Sequence, residues 1–232
     1  MKYSESRTFV NRVHSIFNPL LLTELRIHMD TIWTEQQVKA KTDREQIAIN
    51  NGTASDALRM DSRWYDVWCG LTPQMIEVFS PYTWVIFPPM IRIVREQNHL
   101  VPWHQDIGYM RLLGARGHNQ IITCFIPIDK EPSKHTTLQF ALDELPELEH
   151  VSTTDYRGVG IKDANFSKLE YYELELGDCL VFGDLAAHRT FVPPNARLER
   201  RSLEFRLTQP NMALSNKDYF DIESSTFIHT DD

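Results

Sequence analysis

Near Thr83 the apolar pattern of this chain changes period, and that switch limits what it can fold into. Before it, apolar residues recur at helical spacing. Leu21, Leu22, Leu25, Met29, Ile32 and Trp33 form one stripe behind Asn18-Pro19, an N-cap followed by proline at the first helical position. Phe9, Val10, Val13, Ile16 and Phe17 predict a short helix ahead of it. Trp64, Val67, Trp68 and Leu71 predict another, and Thr72-Pro73 starts one more that turns Met75, Ile76 and Phe79 inward. After Thr83 the chain reads as short strands over 84–87, 91–94, 120–128, 136–141, 171–176, 179–182, 188–192 and 200–208. Residues 38–58 read as a loop, 143–168 as acidic surface loops, and 209–232 as a polar tail for which disorder is the default. Helices first and many short strands afterwards suit a mainly β fold. The expected fold is an antiparallel jelly roll with the N-terminal helices packed on one sheet.

The 232 residues suit one domain, with a mostly helical part over 1–82, a jelly-roll core over 83–208 and a tail over 209–232. A net charge of -8 argues against nucleic acid as a partner, since neutralising phosphates needs basic patches. Cys69, Cys124 and Cys179 are odd in number and widely spaced, which suits reduced core thiols. No apolar stretch approaches the length of a membrane span, and the first residues lack an apolar signal core. A soluble, cytoplasmic protein with no membrane partner is the expectation, of undetermined oligomeric state.

The strand run over 84–94 leads to Trp103-His104-Gln105-Asp106. In an extended chain residues two apart share a face, so His104 and Asp106 can aim an imidazole and a carboxylate at one point. Such a pair can supply two of the three ligands of a facial triad that holds non-haem iron and leaves positions open for substrate and oxygen. The spacing recurs at His28-Met29-Asp30 and His229-Thr230-Asp231. The first lies in a helical pattern, where residues two apart diverge by roughly 200°, and the second in the polar tail. A third ligand should come from a later strand. The stretch from Gly177-Asp178 through an apolar strand to His188 offers one.

Trp103-His104-Gln105-Asp106, then Leu176-Gly177-Asp178 leading to His188-Arg189-Thr190, then Asn195 followed by Arg201, resemble in order the motifs of the phytanoyl-CoA dioxygenase family of iron(II)- and 2-oxoglutarate-dependent oxygenases. The resemblance implies a double-stranded β-helix core, iron on His104, Asp106 and His188, and 2-oxoglutarate on Arg201. It implies hydroxylation of a small molecule with O2, releasing succinate and carbon dioxide. Asp106 stands where related halogenases lack a carboxylate, which favours hydroxylation, desaturation or cyclisation. The family's usual Asn-Gly then Pro-Gly-Ser-His segment is absent; Lys134-His135-Thr136-Thr137 stands there.

Alternation supports Arg201 independently. Arg201, Leu203, Phe205 and Leu207 share one face of 200–208, and Arg200, Ser202, Glu204 and Arg206 the other. The apolar set should face the core, making Arg201 an inward guanidinium that needs a partner, either a dicarboxylate or an internal acidic residue. Arg200 and Arg197 are the fallback candidates. Thr190 can donate its hydroxyl to the same carboxylate, and Arg92, on the strand before the motif, is a further co-substrate candidate. A non-redox metal enzyme on a cupin-like barrel, or a non-catalytic small-molecule-binding jelly roll, remain as alternatives. Succinate release separates them from an oxygenase.

Overall fold

The strand over residues 200–208 buries both of its faces, one under helices and one inside a barrel, and the architecture follows from that. The computed structural model describes residues 6–39, 62–87, 89–112, 120–152, 159–215 and 217–230. In chain order the elements are β1 (Val10–Val13), α1 (Pro19–Lys39), α2 (Ser62–Phe79), β2 (Trp84–Ile86), β3 (Met90–Val94), α3 (Asp106–Leu112), β4 (Ile121–Pro127) and β5 (Thr137–Ala141). There follow β6 (His150–Ser152), β7 (Val159–Ile161), β8 (Leu169–Tyr171), β9 (Cys179–Gly183), β10 (His188–Phe191), β11 (Arg200–Thr208), β12 (Asp218–Asp221) and β13 (Thr226–His229).

The large sheet runs β1-β9-β4-β11-β2-β12-β13, and β3 pairs with the first half of β11 while β2 pairs with its end. A smaller sheet, β10-β5-β8, faces it, and β6 and β7 form a separate hairpin. All these pairings are antiparallel. This is the jelly roll expected from the order of patterns.

Two apolar layers hold it. Leu22, Leu25, Met29 and Trp33 of α1, with Leu71, Met75 and Phe79 of α2, pack on the outer face of the large sheet against Ile91, Ile93, Cys124, Leu203, Phe205 and Leu207. Each such side chain contributes about 1.5–3 kcal/mol when fully buried. Between the sheets, Phe125, Leu180 and Phe182 meet Leu138, Phe140 and Ala186. A third cluster, Ile107, Met110, Ile121 and Leu214, sits where α3 meets the sheets. Asn18 caps α1 as expected: its Oδ1 accepts the Leu20 N–H at 2.9 Å.

Several expectations are corrected. Residues 10–13 form β1 at the sheet edge rather than a helix. Both faces of this sheet are apolar-lined, so Val13 packs on the outer layer and Val10 on the inner one, and apolar residues three apart sit on opposite sides of one strand. The two helices expected over 64–79 are one, with Pro73 inside it; the Thr72 hydroxyl donates to the Cys69 carbonyl at 2.9 Å. The strand expected over 171–176 is displaced to Leu169–Tyr171, and 143–168 includes the β6–β7 hairpin. The expected tail instead extends the large sheet through β12 and β13, because Tyr219 and Phe220 are fully buried. The loop expected over 38–58 lies, from residue 40 onward, outside the described residues.

Candidate metal centre and its cavity

His104 and His188 meet through their backbones. The N–H of each donates to the carbonyl of the other, both at 2.9 Å, in a short bridge that ties the 101–105 segment to β10. Directly after it the chain turns into α3, whose first residue is Asp106. The Ile107 N–H donates to the Asp184 carbonyl at 3.0 Å and fixes this turn. Asp106 therefore reaches the point expected of it from a helix start, not from a continuous strand.

The ring orientations select the proton positions. His104 Nδ1 lies 2.9 Å from the Pro102 carbonyl, and His188 Nδ1 lies 2.9 Å from the Ala186 carbonyl. A carbonyl only accepts, so each Nδ1 carries the proton and each Nε2 presents a lone pair. Burial holds both imidazoles below their usual pKa, with His188 adding to the effect at His104, so both are neutral at neutral pH. Burial alone would raise the Asp106 carboxyl; Arg206, His188 and His104 outweigh it and keep Asp106 well below the usual carboxylate range. Its Oδ1 accepts from Arg206 Nη2 at 2.8 Å, and its Oδ2 accepts from the Thr123 hydroxyl. One donor atom from each of His104, Asp106 and His188 lies within 4.8 Å of the others, the one such trio among the described residues. Two neutral imidazoles and a carboxylate on three buried positions fit a divalent metal of the non-haem iron type.

Gln105, between two of these residues, is fully buried and holds the motif in place. Its Nε2 donates to the carbonyls of Pro146 (2.8 Å) and Leu185 (2.9 Å), and its Oε1 accepts from the Leu148 N–H at 2.8 Å. Its own N–H donates to His150 Nε2 at 2.9 Å. The segment leading into β6 is thereby fastened to the peptide between His104 and Asp106.

The trio opens on a cavity of about 310 Å³. Val101, Met110, Leu138 and Phe182 give it apolar walls, and Tyr109 stands edge-on to the His104 ring, centroids 5.4 Å apart. Thr190 and Arg92 line it. The Thr190 oxygen accepts from the Val101 N–H at 3.2 Å, which leaves the hydroxyl proton to donate into the cavity. Arg92 faces Glu204, Nε to Oε1 3.5 Å.

Arg201 does not reach this cavity. It lies on the outer side of β11, with Nε 2.7 Å from Asp30 of α1, Nη1 3.1 Å from Asp129 and Nη2 2.9 Å from Glu199. The alternation along β11 is as expected, but the apolar set faces the helices and the polar set faces the barrel. The inward residues are Arg200, Glu204 and Arg206. Arg200 is 1% exposed. Its Nη1 donates to the Thr137 carbonyl at 3.3 Å, its guanidinium carbon lies 5.0 Å from the Phe125 ring centroid, and Nη2 is 3.8 Å from Glu204. Its Nε and Nη2 have no hydrogen-bond partner. Burial pulls its pKa down to about 10, so it remains charged at neutral pH. Arg206, Thr123 and Glu204 were not singled out from the sequence, and Gln105 was placed near the mouth with no role assigned. For Arg206 and Glu204 the legible signal was the polar row on β11, opposite Leu203, Phe205 and Leu207. His99 and His135 are engaged with backbone groups, and His118 lies outside the described residues.

No family model matches this chain, and no curated protein matches it either. Solved structures do. The apo form of the non-heme monooxygenase ThoJ superposes with a TM-score of 0.66 at 14% identity, over 93% of this chain and 81% of that one. EvdO2 from Micromonospora carbonacea var. aurantiaca, complexed with 2-oxoglutarate, gives 0.55 at 11% identity over 90% of this chain and 91% of that one. The epimerase SnoN in complex with Fe3+, alpha ketoglutarate and nogalamycin RO gives 0.53 at 10% identity over 92% and 82%. At these identities the likeness establishes a shared fold. Among the described residues no helix is long and apolar enough to cross a membrane.

Proposed function

We propose that this chain, acting as a single domain, is an iron(II)- and 2-oxoglutarate-dependent oxygenase of a small molecule. The observation that carries the reading is the convergence of His104 Nε2, His188 Nε2 and the Asp106 carboxylate on a cavity that is also lined by the buried, under-bonded guanidinium of Arg200. The motifs that resemble the phytanoyl-CoA dioxygenase family, and the fold shared with known 2-oxoglutarate enzymes, support it. When bound, iron with 2-oxoglutarate and oxygen supplies the oxidant that removes a substrate hydrogen, with succinate and carbon dioxide released.

The residues of the chain do the rest. His104, Asp106 and His188 hold the metal, and their orientation is fixed before it arrives by Pro102, Ala186, Thr123 and Arg206. Arg200 takes the distal carboxylate of 2-oxoglutarate, the role the sequence reading gave to Arg201, since a guanidinium fork matches a carboxylate and two of its nitrogens lack partners. Thr190 donates its hydroxyl to the same group. The apolar walls exclude water, which strengthens each of these polar contacts. Asp106 fills the carboxylate position, favouring hydroxylation, desaturation or cyclisation over halogen transfer.

Consumption of 2-oxoglutarate with formation of succinate, dependent on both iron(II) and oxygen, tests the reading. A non-redox metal enzyme or a binding protein yields no succinate.

A further inference from the structure

The peptide that joins His104 to Gln105 is held from both sides. Its carbonyl accepts the His188 N–H at 2.9 Å, and its N–H donates to His150 Nε2 at 2.9 Å. A peptide unit is planar, so bonds on both edges leave it little freedom to rotate. Such a rotation would change ψ of His104 and φ of Gln105, the dihedrals that set where His104 points relative to Asp106. One edge is held by a main-chain bond. The other depends on a single side chain.

The tautomer of His150 suits that contact. Its Nδ1 lies 2.9 Å from the Leu148 carbonyl, which only accepts, so Nδ1 carries the proton and Nε2 offers its lone pair to Gln105. The Leu148 N–H donates back to Gln105 Oε1 at 2.8 Å and closes the circuit. On the paired strand β7, directly opposite His150, the Ile161 N–H donates to the Trp103 carbonyl at 2.7 Å. The β6–β7 hairpin thus binds residues 103 and 105, while β10 binds residue 104 between them. The imidazole also lies on the first turn of α3. A Cβ at Gly108 would fall 2.6 Å from His150 Cδ2 and 2.7 Å from its Nε2, so only a glycine there admits the ring.

On the reading of His104, Asp106 and His188 as metal ligands, we infer that His150 is a positioning residue of the metal centre. By holding the Gln105 peptide it fixes the angle at which His104 and Asp106 face one ion, and Gly108 gives it room to do so.

The test is titration of cobalt(II), whose visible bands report coordination geometry, into the wild-type protein and its variants. His150→Phe keeps a ring over Gly108 and loses the acceptor. It should bind cobalt(II) roughly threefold to tenfold more weakly, the worth of one neutral hydrogen bond, and with shifted bands. In His150→Gln the Oε1 can accept the same N–H, so affinity should return to within about twofold of wild type, with the wild-type bands. Gly108→Ala drives the ring off from the other side and should match His150→Phe. In a His150→Ala background it should weaken binding no further, since the bond is already lost. Should His150→Phe fail to fold, Gly108→Ala reads the same bond. Unchanged affinity and bands in His150→Phe or Gly108→Ala overturn the inference and leave the metal centre standing. So does a His150→Gln protein as impaired as His150→Phe, or weaker binding with unchanged bands, which assigns His150 to stability alone. A wild-type protein that binds no cobalt(II), or a His188→Ala protein that binds it undiminished, removes the metal centre itself and the role of His150 with it.

Discussion

The backbones of His104 and His188 hydrogen-bond to each other in both directions, at 2.9 Å each. The two rings are brought to a centroid separation of 4.1 Å by main-chain pairing, not by their own contact. Removing either imidazole therefore leaves the framework of the centre in place. His188→Ala should lose iron(II) binding and turnover. It should cost about 1–3 kcal/mol of stability, through lost packing against Phe140 and Phe182. Metal titration followed by a thermal melt checks both parts; full metal affinity in the variant removes His188 from the ligand set.

Arg200 and Arg201 are adjacent in the chain and face opposite sides of β11, so their variants should separate cleanly. Arg200→Ala should weaken 2-oxoglutarate by roughly tenfold to a hundredfold, the worth of a charge-assisted hydrogen bond of about 1.5–3 kcal/mol. Arg201→Ala should leave 2-oxoglutarate binding intact and lower stability, because the buried Asp129 carboxylate keeps the N–H of residue 201 at 2.7 Å but loses the guanidinium that it pairs with at 3.1 Å. Titration of 2-oxoglutarate into the anaerobic iron protein, with denaturant melts of both variants, reads the two effects. The reverse pattern returns the co-substrate role to Arg201.

Those two arginines also show what was legible in the sequence. The period of the apolar pattern located β11 to the residue and found its alternation, since neither depends on what lies on either side of the sheet. Which face is inside does depend on that. In this barrel the interior holds the site, and the larger apolar layer lies outside it under α1 and α2, so the apolar row of β11 marks the helix side. The same cause hid β1, whose apolar residues serve two layers at once. The trio His104, Asp106 and His188 was legible because motif order carried it. The start of α3 at Asp106 was not, because the turn is fixed by a distant partner, the Asp184 carbonyl.

Gln105 is expected to act as a positioning residue. Gln105→Ala leaves the carbonyls of Pro146 and Leu185 and the N–H of Leu148 without their partner. Pro146 is exposed and Leu148 and Leu185 are half-buried, so each lost bond costs about 0.5–1.5 kcal/mol. The loss should appear as faster hydrogen exchange over residues 145–150 together with weaker iron(II) binding. Unchanged exchange there removes the clamp from the account.

Gly183 ends β9 where the chain before β1 crosses it. A Cβ at this position would lie 2.2 Å from the Arg7 carbonyl oxygen, a backbone atom that cannot swing aside. Gly183→Ala should therefore push residues 7–9 off the sheet edge. It should strain the pairing of Arg7 with Asp184 and destabilise the protein by about 1–3 kcal/mol, the usual cost of overpacking. A denaturant midpoint unchanged from wild type contradicts this.

The central claim is that His104, Asp106 and His188 hold an iron to which 2-oxoglutarate binds. The most direct measurement is the visible absorption of the protein with iron(II), taken without oxygen, before and after addition of 2-oxoglutarate. The account predicts a new charge-transfer band in the wild-type protein, weakened in Arg200→Ala at the same 2-oxoglutarate concentration and absent in His188→Ala. A wild-type protein that binds iron(II) but shows no such band at saturating 2-oxoglutarate, or a His188→Ala protein that shows it undiminished, contradicts the account.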